Sequence, residues 1–168
     1  MWGKWKKIEK RRSFFDCLKT KLGYTSFDDW YKLSIGDICK HGGRGLLHYY
    51  NNSPSQALID VYPDHNWLMW KFNILPKGYW DDFENRRAYF DWLGKKLGFN
   101  NMLDWYNVTT EDIYLYNGKS LLVNCYGGSL PQALQHLYPD HNWLMWKFNI
   151  VPKGYWETVN NQRAQVIE

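Results

Sequence analysis

No stretch of this chain stays apolar long enough to cross a bilayer, and no charged-then-apolar leader precedes a small-residue cleavage site. A membrane association is therefore not expected. Cysteine is scarce: Cys17, Cys39 and Cys125 are odd in number and widely spaced. A disulfide framework or a zinc site would need cysteines paired or closely set, so a reducing intracellular setting is expected, the nucleus included. No segment alternates polar and apolar residues long enough to suggest a sheet. Also missing are a nucleophile elbow, a phosphate-cradling glycine loop, and paired carboxylates with a repeated partner. Catalysis, metals and cofactors are accordingly not expected; a small hydrolase is the weakest of the functional readings.

What the chain has in excess is tryptophan, 11 of 168 residues. Rings of this size bring large buried area, so a small unit can be held by a few of them, and disorder is not expected. Many of these rings fall in a repeat. Tyr62 to Trp80 returns as Tyr138 to Trp156 with one change, Leu75 to Val151. Upstream, Phe15-Asp-x-Leu-x-x-Lys-Leu-Gly23 matches Phe90-Asp-x-Leu-x-x-Lys-Leu-Gly98, and Asp29-Trp-Tyr31 matches Asp104-Trp-Tyr106. One inserted residue then pairs Tyr50 with Tyr126, and Gln56-Ala-Leu58 with Gln132-Ala-Leu134. Trp5-x-x-Ile-Glu-x-Arg-Arg12 has the spacing of Trp80-x-x-Phe-Glu-x-Arg-Arg87, and a counterpart helix is expected from Trp156 to Arg163. These matches predict two homologous units, residues 1–80 and 81–168. In this alignment Cys17 faces Trp92 and Cys39 faces Tyr114, so the cysteines are not equivalent. The near-identity of the long block leaves two explanations open, a tryptophan-rich core or seam and a direct ligand surface.

Charge is uneven. Residues 1–22 hold eight Lys or Arg against Glu9 and Asp16, a net of +6 within a chain of net +4. A basic amphipathic helix there can meet phosphate, an acidic protein or an anionic surface; the plain alternative is a solvated face. Lys6, Lys7, Arg11 and Arg12 are its candidate contacts. The near-neutral remainder argues against the whole protein being an electrostatic binder.

The local pattern predicts an all-α fold, two tandem helical bundles with tryptophan-rich cores. Asp81 or Asp82 caps a helix running to about Leu97, with Phe83, Phe90, Leu93 and Leu97 on one side. Gly23 and Gly98 supply stops. Ser34-x-x-Asp37 and Thr109-x-x-Asp112 read as capping boxes, and Ser53 caps a helix with Pro54 at its first position. Trp67 and Trp70, three apart, are expected to share a face on a helical turn, as are Trp143 and Trp146. Asp64 and Asp140 are expected to cap that turn while His65 and His141 bond locally. A metal site at Asp64-His65-Asn66 lacks further ligands.

The three helices expected from about Ser34 to Val61, and from Thr109 to Leu137, have the order that helix-turn-helix readers use. In that arrangement the helices after Ser53 and Ser129 face DNA, with Ser55, Gln56 and Gln132 near base edges and Arg44 and Lys119 on phosphate. A three-helix scaffold with ordinary caps is the structural alternative. Lys77 and Lys153, beside Tyr79-Trp80 and Tyr155-Trp156, suggest a loop on which exposed rings could stack on unpaired bases.

Tyr126-Gly-Gly-Ser129-x-x-x-Ala133-Leu134 followed by Trp143, and Ser53-x-x-x-Ala57-Leu58 followed by Trp67, resemble the short DNA-binding repeats found beside homing endonucleases. The resemblance spans about a quarter of the chain and does not include the long tryptophan block or the Asp-Trp-Tyr turn. It implies DNA binding in support of another domain's chemistry and no catalytic residue. The expectation is thus a non-enzymatic nucleic-acid-binding module, DNA before RNA. The alternative is a structural or protein-interaction repeat that anchors a partner through exposed Trp and Tyr.

Overall fold

Each α-helix among the described residues begins or ends on a residue that satisfies backbone groups a helix leaves open. A computed structural model describes residues 2–149. Among the described residues there are helices and turns and no strand. Lys153, Tyr155, Trp156 and the helix expected from Trp156 to Arg163 lie outside the described residues. The chain divides into two units, Met1–Lys77 and Gly78–Glu168.

In the first unit a 3-10 turn, Trp2–Trp5, leads into α1, Ile8–Leu22. A second 3-10 turn, Phe27–Lys32, precedes α2 (Ile35–Lys40), α3 (Arg44–Tyr49) and α4 (Pro54–Val61), and a third covers Met69–Lys71. Gly23 ends α1 at φ +71°, a left-handed backbone that glycine adopts without strain, and Tyr24 N–H returns 3.0 Å to Lys19 O. Both capping boxes are made. Asp37 N–H donates to Ser34 Oγ at 3.0 Å while Ser34 N–H donates to Asp37 Oδ2 at 3.1 Å. The hydroxyl and amide of Ser34 hold the Asp37 carboxyl below its usual range. Ser53 Oγ accepts from Gln56 N–H at 3.3 Å, with Pro54 where a missing N–H costs nothing.

The core of this unit gathers Phe15 and Leu18 from α1, Ile38 from α2, Leu46 and Leu47 from α3, and Ala57, Leu58 and Val61 from α4, all nearly solvent-free. Trp30 lies among them, edge-on to Phe15 at 5.7 Å and to Tyr24 at 5.2 Å. Each of the Phe, Leu, Ile and Val side chains contributes about 1.5–3 kcal/mol by leaving water.

The second unit opens with a 3-10 turn, Tyr79–Asp81, then α5, Phe83–Lys96, capped by Asp82 Oδ1 on Glu84 N–H at 2.9 Å. A turn at Met102–Asn107 precedes α6 (Thr110–Leu115), α7 (Lys119–Tyr126) and α8 (Leu130–Leu137), and a last turn covers Met145–Lys147. Phe90 and Leu93 are buried as the periodicity predicts, whereas Phe83 and Leu97 are half-buried and Tyr89, outside the predicted stripe, is fully enclosed. The expected boundary after Trp80 moves to Lys77/Gly78. Trp80 is buried and its Nε1–H donates to Ser120 Oγ at 3.1 Å, so this ring belongs to the unit that follows it.

The tryptophan block departs from its predicted form. Trp67 stands in non-helical backbone and only Trp70 falls in the 3-10 turn, so the two do not share a helical face. One local and two long-range bonds set this segment instead. Trp67 Nε1–H donates to Tyr62 O at 3.0 Å, Leu68 N–H to Tyr31 Oη at 2.9 Å, and Tyr62 Oη–H to Asp16 at 2.7 Å. The second unit has the equivalent three, Trp143 to Tyr138, Leu144 to Tyr106 and Tyr138 to Asp91. Leu68, not Asp64, precedes the turn, and His65 stacks on Phe27 at 4.2 Å in place of the expected local hydrogen bond.

Candidate nucleic-acid interface

The cations of the first unit sort into one held inside and several held outside. Arg11, a predicted phosphate contact, is only 6% exposed. Its guanidinium donates to Trp5 O at 2.7 Å and to Asp60 at 3.2 Å, and lies 4.5 Å from the centre of the Tyr49 ring. Tyr50 donates to the same Asp60 carboxylate, and burial with this bond raises the Tyr50 phenol above its ordinary pKa. Arg11 therefore ties the start of α1 to α3 and α4 and is withdrawn as a phosphate contact. Ser55 is withdrawn too: at 1% exposure it cannot reach a base edge. Its hydroxyl pairs with that of Ser53 at 3.1 Å.

Lys4, Lys6, Lys7, Lys10, Arg12, Lys19 and Lys21 are all exposed. Arg12 rests its guanidinium 5.4 Å from the Tyr62 ring centre, which orders the side chain without removing it from water. Arg44 and Lys119 occupy the first positions of α3 and α7 and are also exposed. A cation at a helix N-terminus opposes the backbone dipole, so neither is placed there for helix stability. Lys77 is exposed on its loop.

The predicted groove readers are less uniform. α4 buries Pro54, Ser55, Ala57, Leu58 and Val61, leaving Gln56 exposed beside the acidic Asp60. α8 exposes Gln132, Gln135 and His136. Gln132 lines a cavity of about 480 Å³ with Thr109, Glu111, Ser129 and Phe148. Glu111 there disfavours phosphate. Arg44 lies elsewhere, in a cavity of about 460 Å³ with Lys4, Trp5, Gly45, His48 and Tyr49. The Lys4 ammonium sits 4.7 Å from the centre of the Trp5 ring.

No tryptophan whose side chain is described is exposed, although such a ring is the anchor expected for stacking or for a protein partner. Trp5, Trp30, Trp70, Trp80, Trp105 and Trp143 are buried, and Trp67, Trp92 and Trp146 half-buried. Trp80, predicted to stand on a loop, is 8% exposed, and Tyr79 is half-buried against it at 4.8 Å. Stacking at Tyr79-Trp80 is withdrawn.

The Arg11 network and the Trp5 cavity were not foreseen. The signal for the cavity lies in the aligned pairs Trp5/Trp80 and Gly45/Ser120, where one unit keeps the ring and drops the hydroxyl that meets it. Among the described residues no three His, Cys, Asp or Glu side chains gather where they could hold a metal. No described helix is long and apolar enough to cross a membrane. No protein-family model, curated protein or solved structure matches the chain.

Proposed function

We propose that the two units are copies of one helical module and that the chain is a non-enzymatic nucleic-acid-binding protein, DNA before RNA, acting chiefly through its first unit. The observation that carries this reading is the sorting just described: from Lys4 to Lys21 every cation but Arg11 faces water, while Trp5, Trp30 and Trp70 face the core. Between Lys4 and Lys21 seven Lys or Arg are exposed against Glu9 and Asp16. Such a surface suits a polyanion better than the apolar pocket of a protein partner. The shared element order and the three repeated hydrogen bonds of the tryptophan block support common ancestry of the units. The resemblance to the short repeats beside homing endonucleases favours DNA, and it supplies the role of assisting chemistry done elsewhere.

Titration of labelled duplex and single-stranded oligonucleotides at two salt concentrations tests the proposal. If about four phosphates are neutralised, the logarithm of affinity falls with that of salt at a slope of about −3 to −4 for duplex. Absence of binding at low salt overturns the proposal.

A second reading, a protein-interaction repeat, draws on different residues from those first expected. The second unit leaves Leu115 75% exposed, with Tyr114 and Val123 also facing water. If that surface is the working one, Leu115→Ser weakens partner capture and leaves oligonucleotide affinity unchanged.

A further inference from the structure

The cavity beside Trp5 differs from its counterpart in a way that gives it a ligand chemistry. In the second unit Trp80 Nε1–H is satisfied by Ser120, and Tyr79 packs edge-on to the Trp80 ring. In the first unit the residue aligned with Ser120 is Gly45, and the residue aligned with Tyr79 is Lys4. The Trp5 nitrogen lies 3.0 Å from where a Cβ on Gly45 would sit, so the glycine leaves room against the N–H edge of the indole. Trp5 is 7% exposed, and its Nε1–H has no acceptor among the described residues. The nitrogen itself is not sealed from solvent, so an acceptor entering the cavity can meet it.

Two cationic side chains line the same cavity. Lys4 lies over the Trp5 ring, Arg44 enters from the start of α3, and none of the lining residues is acidic. Tyr49 supplies a flat ring, 49% exposed, polarised by the Arg11 guanidinium 4.5 Å from its centre. The volume, about 460 Å³, falls within the roughly 300–1,000 Å³ of small-molecule sites.

From these features we infer that the first unit holds a site for a nucleoside monophosphate group, free or as an unpaired nucleotide of a strand. The phosphate lies between Lys4 and Arg44, the base lies against Tyr49, and an acceptor of the ligand takes the Trp5 N–H. Such a pocket adds a defined contact to the diffuse one made by the cations of α1. The inference rests on the nucleic-acid reading above.

Calorimetric titration of the full chain with adenosine 5′-monophosphate tests it, with adenosine and inorganic phosphate as separate titrants. The nucleotide is expected to bind at least tenfold more tightly than either part. Gly45→Ser, which gives Trp5 the internal acceptor that Trp80 has, is expected to weaken nucleotide binding at least tenfold. Arg44→Ala, at an exposed side chain, is expected to do the same with the fold intact, and it decides the matter should Gly45→Ser fail to fold. Nucleotide binding that is absent, or unchanged by Arg44→Ala, overturns the inference. Oligonucleotide binding measured on the same samples separates the two claims: if it persists with its salt slope while the nucleotide fails, only the pocket is lost. If both fail, the nucleic-acid reading falls as well. Displacement of bound nucleotide by a single strand assigns the site to strand nucleotides, and failure to displace it assigns the site to free nucleotide.

Discussion

Arg11 turns inward from α1, while its neighbour Arg12 stays at the surface. The difference follows from partners far away in the chain. Asp60 and the carbonyl of Trp5 meet the Arg11 guanidinium, whereas Arg12 finds only the face of Tyr62. Arg11→Ala removes a donor from both acceptors, and is expected to lower the unfolding free energy by about 1.5–3 kcal/mol, the range for hydrogen bonds to charged groups. The loss sits toward the lower end because the Asp60 side chain is 48% exposed and solvent can replace part of the pairing. Lys7→Ala should change stability by less than about 0.5 kcal/mol while weakening oligonucleotide binding. Denaturant melts and binding isotherms on the same variants check both. Equal destabilisation by the two would contradict the inward-and-outward assignment. Sequence alone does not separate these cations, since a long side chain can carry its charge out or find a buried partner, and no local pattern points to a partner 49 residues away.

At the scale of the element, the helices were legible because their starts are chemically marked. Ser34, Ser53, Asp82 and Thr109 all cap as their spacing predicts. Ser53→Ala should cost about 1 kcal/mol, measurable as a shift in denaturant midpoint. The Asp37 box adds a pH dependence. Its folded pKa lies below the unpaired value of 3.8, so near and below that value the unfolded chain takes up more protons than the folded one. The stabilisation is present above that value and is lost as pH falls through the folded pKa. Between about pH 5 and pH 2 the wild type should therefore lose stability faster than Asp37→Asn, and parallel curves would contradict the box. The tryptophan block was not legible in the same way. Its i, i+3 spacing suggests a helix, yet its indole N–H turns back to Tyr62 and its Leu68 N–H goes to Tyr31, 37 residues away, a bond that exists only once the fold has closed. The same cause hid the true place of Trp80, whose spacing suited a loop but whose N–H finds Ser120 40 residues on.

Across the whole molecule, charge separates the two units more than fold does. Met1–Lys77 holds thirteen Lys and Arg against seven Asp and Glu, a net of +6. Gly78–Glu168 holds eight against ten, a net of −2. Two units of opposite net charge are not expected to offer a polyanion the same surface twice, so the first unit should dominate binding. Simultaneous change of Lys6, Lys7 and Lys10 to Gln should then lower the salt slope by about two to three, since each lost phosphate contact removes about 0.9. Amide spectra of the ¹⁵N-labelled chain, recorded as a short oligonucleotide is added, test the central claim most directly. Shifts concentrated at residues 4–12 and 44–49, with α6 and α7 unmoved, are the predicted result. Shifts confined to the second unit, or none at low salt, would contradict it.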